Sequence, residues 1–294
     1  MERFNVDWGE GTNLRNHHHL MPKSFRALIV GSSGCGKTNL LLKMLIQPNW
    51  LDYNRLYIVG NSLFQPKYDI IKTGFENGLS KQEIQKVFTM EEKLKSKNIT
   101  YKQVIEEMGT KRRSKPIEVF FTSESSDIPD PKDLDKNYKN LIVFDDIMEN
   151  KCQNIPQSYY TRGRHSNVDC IYISQNYFKL DRQSIRSNTN LFILFQLPGK
   201  DIKHIWEDHV AQDMKTFQEF ETFCEECWKT PFDFVVIDLS QSAESGLKYR
   251  KNFEDRFIPD RSIAQKHSVF KCRLSRTKTK LNSKDSRILK LKKN

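Results

Sequence analysis

The chain has 294 residues, of which 37% are hydrophobic, and a formal net charge of +11. That length accommodates one sizeable α/β core with extensions, and no run approaches the ~18 apolar residues that a membrane-spanning helix requires. Met1–Glu10 carries Glu2, Asp7 and Glu10 rather than a basic, apolar leader, so an intracellular protein without membrane attachment is expected.

Residues 1–24 read as an N-terminal arm. His17, His18 and His19 have no acid partner nearby in sequence and are expected to form an ordinary solvated loop. Ala27–Val30 is a short apolar run followed at once by a glycine loop and the helical pattern Leu40, Leu41, Met44, Leu45. This is a strand, loop and helix in succession. Further strands are predicted at Leu56–Val59 and Leu141–Phe144, with a helical insertion over about Gly74–Lys115 and a strand at Ile117–Phe121 between them.

Cys170–Ser174 and Leu191–Phe195 read as buried strands, one helix is predicted over about Asp201–Trp228, and Phe234–Ile237 reads as the last strand. Continuous apolar strands alternating with helices predict an α/β fold whose mostly parallel sheet is covered on both faces. The domain is expected to span 25–265. Beyond it, segment 266–294 holds eleven Lys and Arg against one acid, Asp285, and so carries +10 while the other 265 residues carry +1. Such a segment is expected to stay disordered until it meets a polyanion such as DNA, or to serve as a nuclear-import signal.

Six cysteines are scattered, with Cys35 inside the glycine loop, so reduced thiols are expected. Cys224 and Cys227 have a metal-type spacing but no second pair to complete four ligands. They continue an apolar helix face through Ile202, Trp206, Val210, Met214, Phe217 and Phe220, so core packing is expected of them.

The loop itself, Gly31, Ser32, Ser33, Gly34, Cys35, Gly36, Lys37 and Thr38, fits G-x-x-x-x-G-K-S/T. Its backbone N–H groups and the following helix N-terminus surround phosphates; Asn39 completes the candidate ATP-binding stretch. Lys37 is expected to reach the β- and γ-phosphates and the Thr38 hydroxyl to bind Mg²⁺. Asp145 and Asp146 close a buried strand, where a carboxylate normally faces a ligand crevice. Asp145 suits Mg²⁺ and Asp146 the activation of water, an arrangement that favours hydrolysis. Gln175 closes another strand, where an amide can sense the γ-phosphate or position water. Arg162 and Arg164 precede that strand and Arg186 follows it; an arginine supplied in trans can stabilise transition-state charge.

In the order FRALIVGSSGCGKT, LYIVGNSLFQPKY, NLIVFDD, YYTRGRHSNVDCIYISQNYFKL and IRSNTNLFILF, the chain resembles the poxvirus-type genome-packaging ATPases of the FtsK-HerA superfamily. The members it is most similar to are those of Polinton/Maverick-like elements, virophages and large DNA viruses. The resemblance covers Phe25 to about Val236. It implies a RecA/FtsK-like P-loop domain and a homo-oligomeric ring, pentamer or hexamer, that pumps double-stranded DNA into a preformed capsid at its portal vertex. It also implies a place within the infected host cell, in the nucleus or a cytoplasmic factory, or association with the virion. By it Gln175 looks like the family's polar sensor, and Arg162 or Arg164 and Arg186 look like its intersubunit arginines. Asp146 departs from the Glu of many relatives in the wider superfamily. Alternatives with the same phosphate loop are a helicase, segregation or transposition ATPase, or a nucleotide-gated assembly module without turnover.

Overall fold

The computed structural model describes residues 15–96, 100–109, 117–147 and 153–259. The basic segment 266–294, the first fourteen residues of the arm, the end of the predicted insertion, Cys152 and Cys272 lie outside the described residues.

Among the described residues nine strands form one sheet in the order β3-β2-β4-β5-β1-β6-β7-β8-β9. They are β1 (Arg26–Val30), β2 (Arg55–Gly60), β3 (Glu118–Thr122), β4 (Asn140–Asp145), β5 (Val168–Ser174), β6 (Leu191–Leu194), β7 (Val235–Asp238), β8 (Tyr249–Lys251) and β9 (Asp255–Phe257). The first six are mutually parallel, whereas β7, β8 and β9 extend the sheet antiparallel from β6.

The apolar runs are continuous because both faces are covered. Leu28, Val30, Ile142, Phe144, Tyr172 and Phe192 enter one core, and their neighbours Ala27, Ile29, Leu141, Val143, Ile171 and Ile193 enter the other. This is the period-two alternation of a strand with no solvent face. The second core is closed by α1 (Lys37–Ile46), α2 (Pro66–Glu76), α3 (Lys81–Ser96) and α4 (Tyr101–Gly109). The first is closed by α5 (Asn154–Arg162), α6 (Gly199–Ile205) and α7 (Phe217–Cys227). Among the described residues, α3, α4 and the end of α2 fall within the stretch predicted as a helical insertion, and α2 begins ahead of it at Pro66.

The single helix predicted over Asp201–Trp228 is instead broken. After α6 a wider turn runs over Trp206–Val210, with the Ala211 amide donating to the Trp206 carbonyl at 2.9 Å. The Trp206 indole then donates to the Met214 carbonyl at 2.8 Å, and Thr216 accepts from the Glu219 amide as the N-cap of a new helix. Cys224 and Cys227 are buried in the core, as their helix face predicts.

The arm is also not the solvated loop expected. The His17 side chain is only 2% exposed. Its Nε2 lies 2.9 Å from Asp169 Oδ2, and its Nδ1 accepts from the Asp52 amide at 2.9 Å. Arg15 is buried beside it, ion-paired with Asp169 and donating to the Asn140 carbonyl at 3.0 Å. Asp169 also accepts from the Phe25 amide at 2.9 Å, so one carboxylate gathers the arm onto the starts of β1, β4 and β5.

Candidate active site

The opposite ends of the same strands carry the sequence-predicted site. Across the sheet, Gly60 stands opposite Asp145, Asp145 opposite Ile173, and Ser174 opposite Val30. Because β5 lies between β1 and β4, the residue after β5, Gln175, falls between the phosphate loop and the two aspartates. Carboxyl ends of parallel strands form the crevice in which α/β proteins hold ligands.

The loop leaves β1 with the Gly31 amide bonded to the Ser174 carbonyl at 3.2 Å. A side chain at Gly31 would stand 2.6 Å from Phe195 Cβ, and Gly36 takes φ +105 as it enters α1, so both positions require glycine. Lys37 is buried in the loop, its ammonium donating to the carbonyls of Gly31 at 2.6 Å and Ser32 at 2.7 Å and lying 3.9 Å from Cys35 Sγ. Ser32, Ser33, Gly34 and Asn39 are exposed, and Thr38 is half-buried at the head of α1. The Asn39 side-chain oxygen, Oδ1, accepts from Lys67 Nζ at 2.6 Å.

Asp145 is 8% exposed and accepts the Tyr68 hydroxyl proton at 2.5 Å. Burial raises its pKa from the ordinary carboxylate value and Asp146 adds to the rise, while Tyr68 and the Lys37 charge oppose it. Asp146 is different in every respect. Its backbone is left-handed, at φ +53, and its side chain is exposed. Its amide donates to the Ile173 carbonyl and its carbonyl accepts from Asn61, each at 3.2 Å. Gln175 Nε2 donates to the Asp146 carboxylate at 2.7 Å, which joins the two residues proposed to handle water.

The arginines are not brought to this cluster. Arg162 and Arg164 precede the start of β5, whose seven residues carry the chain ~20 Å to its other end. Arg162 pairs with Asp130 at 2.9 Å on the surface, and Arg164 is exposed near Arg26 at the start of β1, whose pKa is lowered by burial and further by the Arg164 charge. Arg186, a candidate to act in trans, is buried: its side chain is 9% exposed, pairs with Asp208 at 3.2 Å and lies over the Tyr177 ring. Reaching a neighbour would require breaking that pair.

Tyr68 on α2 and Asn61 just after β2 sit in LYIVGNSLFQPKY and support the aspartates, with no motif of their own to mark them. Phe232 is likewise unmarked in the sequence. This residue lies in the turn Thr230–Asp233, closed by the Asp233 amide on the Thr230 carbonyl at 3.2 Å, with φ +69 and 68% of its surface exposed. Its ring comes within 3.3 Å of the place a Cβ on Gly36 would occupy.

Residues 14–282 match the family model described as Poxvirus A32 protein. No curated protein matches the sequence. Among solved structures, the genome packaging NTPase B204 from Sulfolobus turreted icosahedral virus 2, in complex with ATP-gammaS, is 12% identical, with 79% of this chain and 98% of that chain covered and a TM-score of 0.45. B204, the DNA-packaging ATPase from Sulfolobus turreted icosahedral virus, is 14% identical, with 78% and 96% covered and a TM-score of 0.46. VirB4 of Thermoanaerobacter pseudethanolicus is 12% identical, with 74% and 87% covered and a TM-score of 0.39.

Proposed function

The chain belongs to the Poxvirus A32 protein family of viral packaging ATPases, and on that premise we propose that it hydrolyses ATP to drive double-stranded DNA into a preformed capsid. The observation that carries the hydrolytic part is the meeting of Lys37, Asp145, Asp146 and Gln175 at one end of the sheet, with the Asp146–Gln175 bond of 2.7 Å at its centre. Lys37 and the loop amides hold the triphosphate. Asp146, exposed and oriented by Gln175, takes a proton from water as that water attacks the γ-phosphorus.

Mg²⁺ fits the oxygen donors present. Thr38 and Asp145 would hold it, and its charge there would offset that of the phosphate oxygens. Among the described residues no group of three His, Cys, Asp or Glu could hold a metal alone, so the remaining ligands would have to be water and phosphate oxygens. Among those residues, too, no helix is long and apolar enough to cross a membrane.

The enzyme works as a homo-oligomeric ring, pentamer or hexamer, in which Arg164 acts on the nucleotide of a neighbour. Arg164 is favoured because it is exposed and stands a strand's length from its own phosphate loop, whereas Arg186 is committed to Asp208. Segment 266–294 contributes to DNA binding, each phosphate neutralised adding roughly −0.9 to the slope of log affinity against log salt. Truncation after Gln265 therefore flattens that slope by several units.

The test is steady-state ATPase activity with and without linear double-stranded DNA. Stimulated turnover is expected, abolished in Lys37→Ala through lost ATP binding and in Asp146→Asn with ATP binding intact. ATP binding without turnover in the wild type would identify a nucleotide-gated assembly module instead. Mixing Lys37→Ala with Arg164→Ala restores partial activity if arginine acts between subunits; no recovery, with subunit exchange shown, rejects that role.

A further inference from the structure

The turn before β7 holds a bulky aromatic residue in a backbone conformation that such residues rarely adopt. Pro231 followed by a residue at φ +69, closed by the Asp233-to-Thr230 hydrogen bond, is the pattern of a type II turn, whose third position calls for glycine or asparagine. Phe232 occupies it. The surroundings fix the strained turn from the far side: Asp233 pairs with Lys251 at 2.7 Å and accepts from Asn252 Nδ2 at 3.0 Å. The Asn252 amide donates to the Phe234 carbonyl at 2.7 Å.

Burial does not repay this strain, because Phe232 is 68% exposed. What the turn achieves is placement. The ring stands against Gly36, the residue before Lys37, where any side chain would crowd it, with the buried Phe195 ring behind the same point. Strain held by an over-determined framework beside a ligand site points to function.

We propose that Phe232 is the stacking platform for the nucleotide base. A triphosphate cradled by the Gly31–Thr38 amides leaves its ribose and base beyond the α-phosphate, at the helix-entry side of the loop where Phe232 projects. An exposed phenyl ring offers a base a face on which to stack, an interaction that tolerates many bases since each has a π-face. It adds affinity for the nucleoside end without touching the phosphates.

This inference rests on the ATP-binding reading above, and the experiment separates the two. Dissociation constants of the full chain are measured for ATP and for inorganic triphosphate, each with Mg²⁺, in the wild type, Phe232→Ala, Phe232→Trp and Phe232→Gly. Phe232→Ala should bind ATP about tenfold more weakly, the order that base stacking supplies, with triphosphate unchanged. Phe232→Trp should retain ATP affinity. Phe232→Gly, which suits φ +69 and so preserves the turn, should lose ATP affinity like the alanine variant. Unchanged ATP affinity in the alanine or glycine variant overturns the inference, and so does an equal loss for both ligands, which would mean that Phe232 only shapes the loop. A wild type that binds neither ligand overturns the ATP-binding reading and this inference with it.

Discussion

The two ends of the parallel strands handle polar groups in opposite ways. Where β4 and β5 begin, Arg15, His17 and Asp169 are buried against one another, and Asp52 receives Lys139 at 2.6 Å beside them. Where the same strands end, Asp146 and Gln175 face solvent, and Asp146 and Phe232 hold left-handed backbones. The first arrangement pairs its buried charges with one another and favours the folded chain. The second leaves reactive groups accessible at some expense to stability. The molecule thus separates what holds it together from what it does by one strand length.

The sharpest way to break this contrast is at Asp169. Asp169→Ala strands Arg15 without its carboxylate in the interior, and removing one partner of a buried pair typically costs about 3–5 kcal/mol. Urea unfolding should show that loss, while turnover per folded molecule stays at the wild-type value. A fall in turnover without a fall in stability would erase the division of labour.

Acid acts on the same end. Burial depresses the His17 pKa to about 4, and the geometry agrees, since Nδ1 already accepts the Asp52 amide and has no room for a proton. An unfolded histidine titrates near 6.5, so as pH falls below ~6.5 the unfolded chain takes up the proton first. The stabilisation is complete above that pH and is lost as pH falls toward 4. The loss from His17 alone is on the order of 3 kcal/mol. Urea midpoints from pH 7 to 4.5 should decline, and the His17 ring resonances should titrate near the lower value.

At the active end the sign reverses. Asp146→Gly relieves the φ +53 conformation and should raise the unfolding free energy slightly, by about 0.5 kcal/mol, while abolishing hydrolysis. A destabilised Asp146→Gly would mean that the bond from Gln175 contributes to the fold. The smallest effect is expected at Arg164, which is exposed: Arg164→Ala should leave the unfolding midpoint unmoved and reduce turnover alone.

The active end was the more legible in sequence, for a physical reason. The phosphate loop is contiguous, and Asp145 and Asp146 interrupt a buried apolar run, so local spacing reveals both. The base of the sheet depends on Arg15 and His17 finding Asp169 across the fold, which no local pattern announces. The break between α6 and α7 was hidden because apolar residues keep a helical period straight through it; the Thr216 and Glu219 capping pair was the overlooked mark. β8 and β9 are three residues each, Tyr-Arg-Lys and Asp-Arg-Phe, with no apolar run to read. Phe232 looks like any loop aromatic until its φ is known.

The position of β1 also sets an order of events in synthesis. It is made early, yet its two neighbours come late: Arg26 lies opposite Cys170, and Ala27 opposite Leu191. Such distant pairings slow folding, since long loops must close before they are rewarded. The β2–β4 pairing spans less chain and can form first, which leaves the central strand to be inserted last. Since Gly31 is anchored on Ser174, the phosphate loop gains its shape only after β5 has been made. A nascent chain that ends before β5 therefore holds every residue of the glycine loop and still lacks the shape that captures a nucleotide.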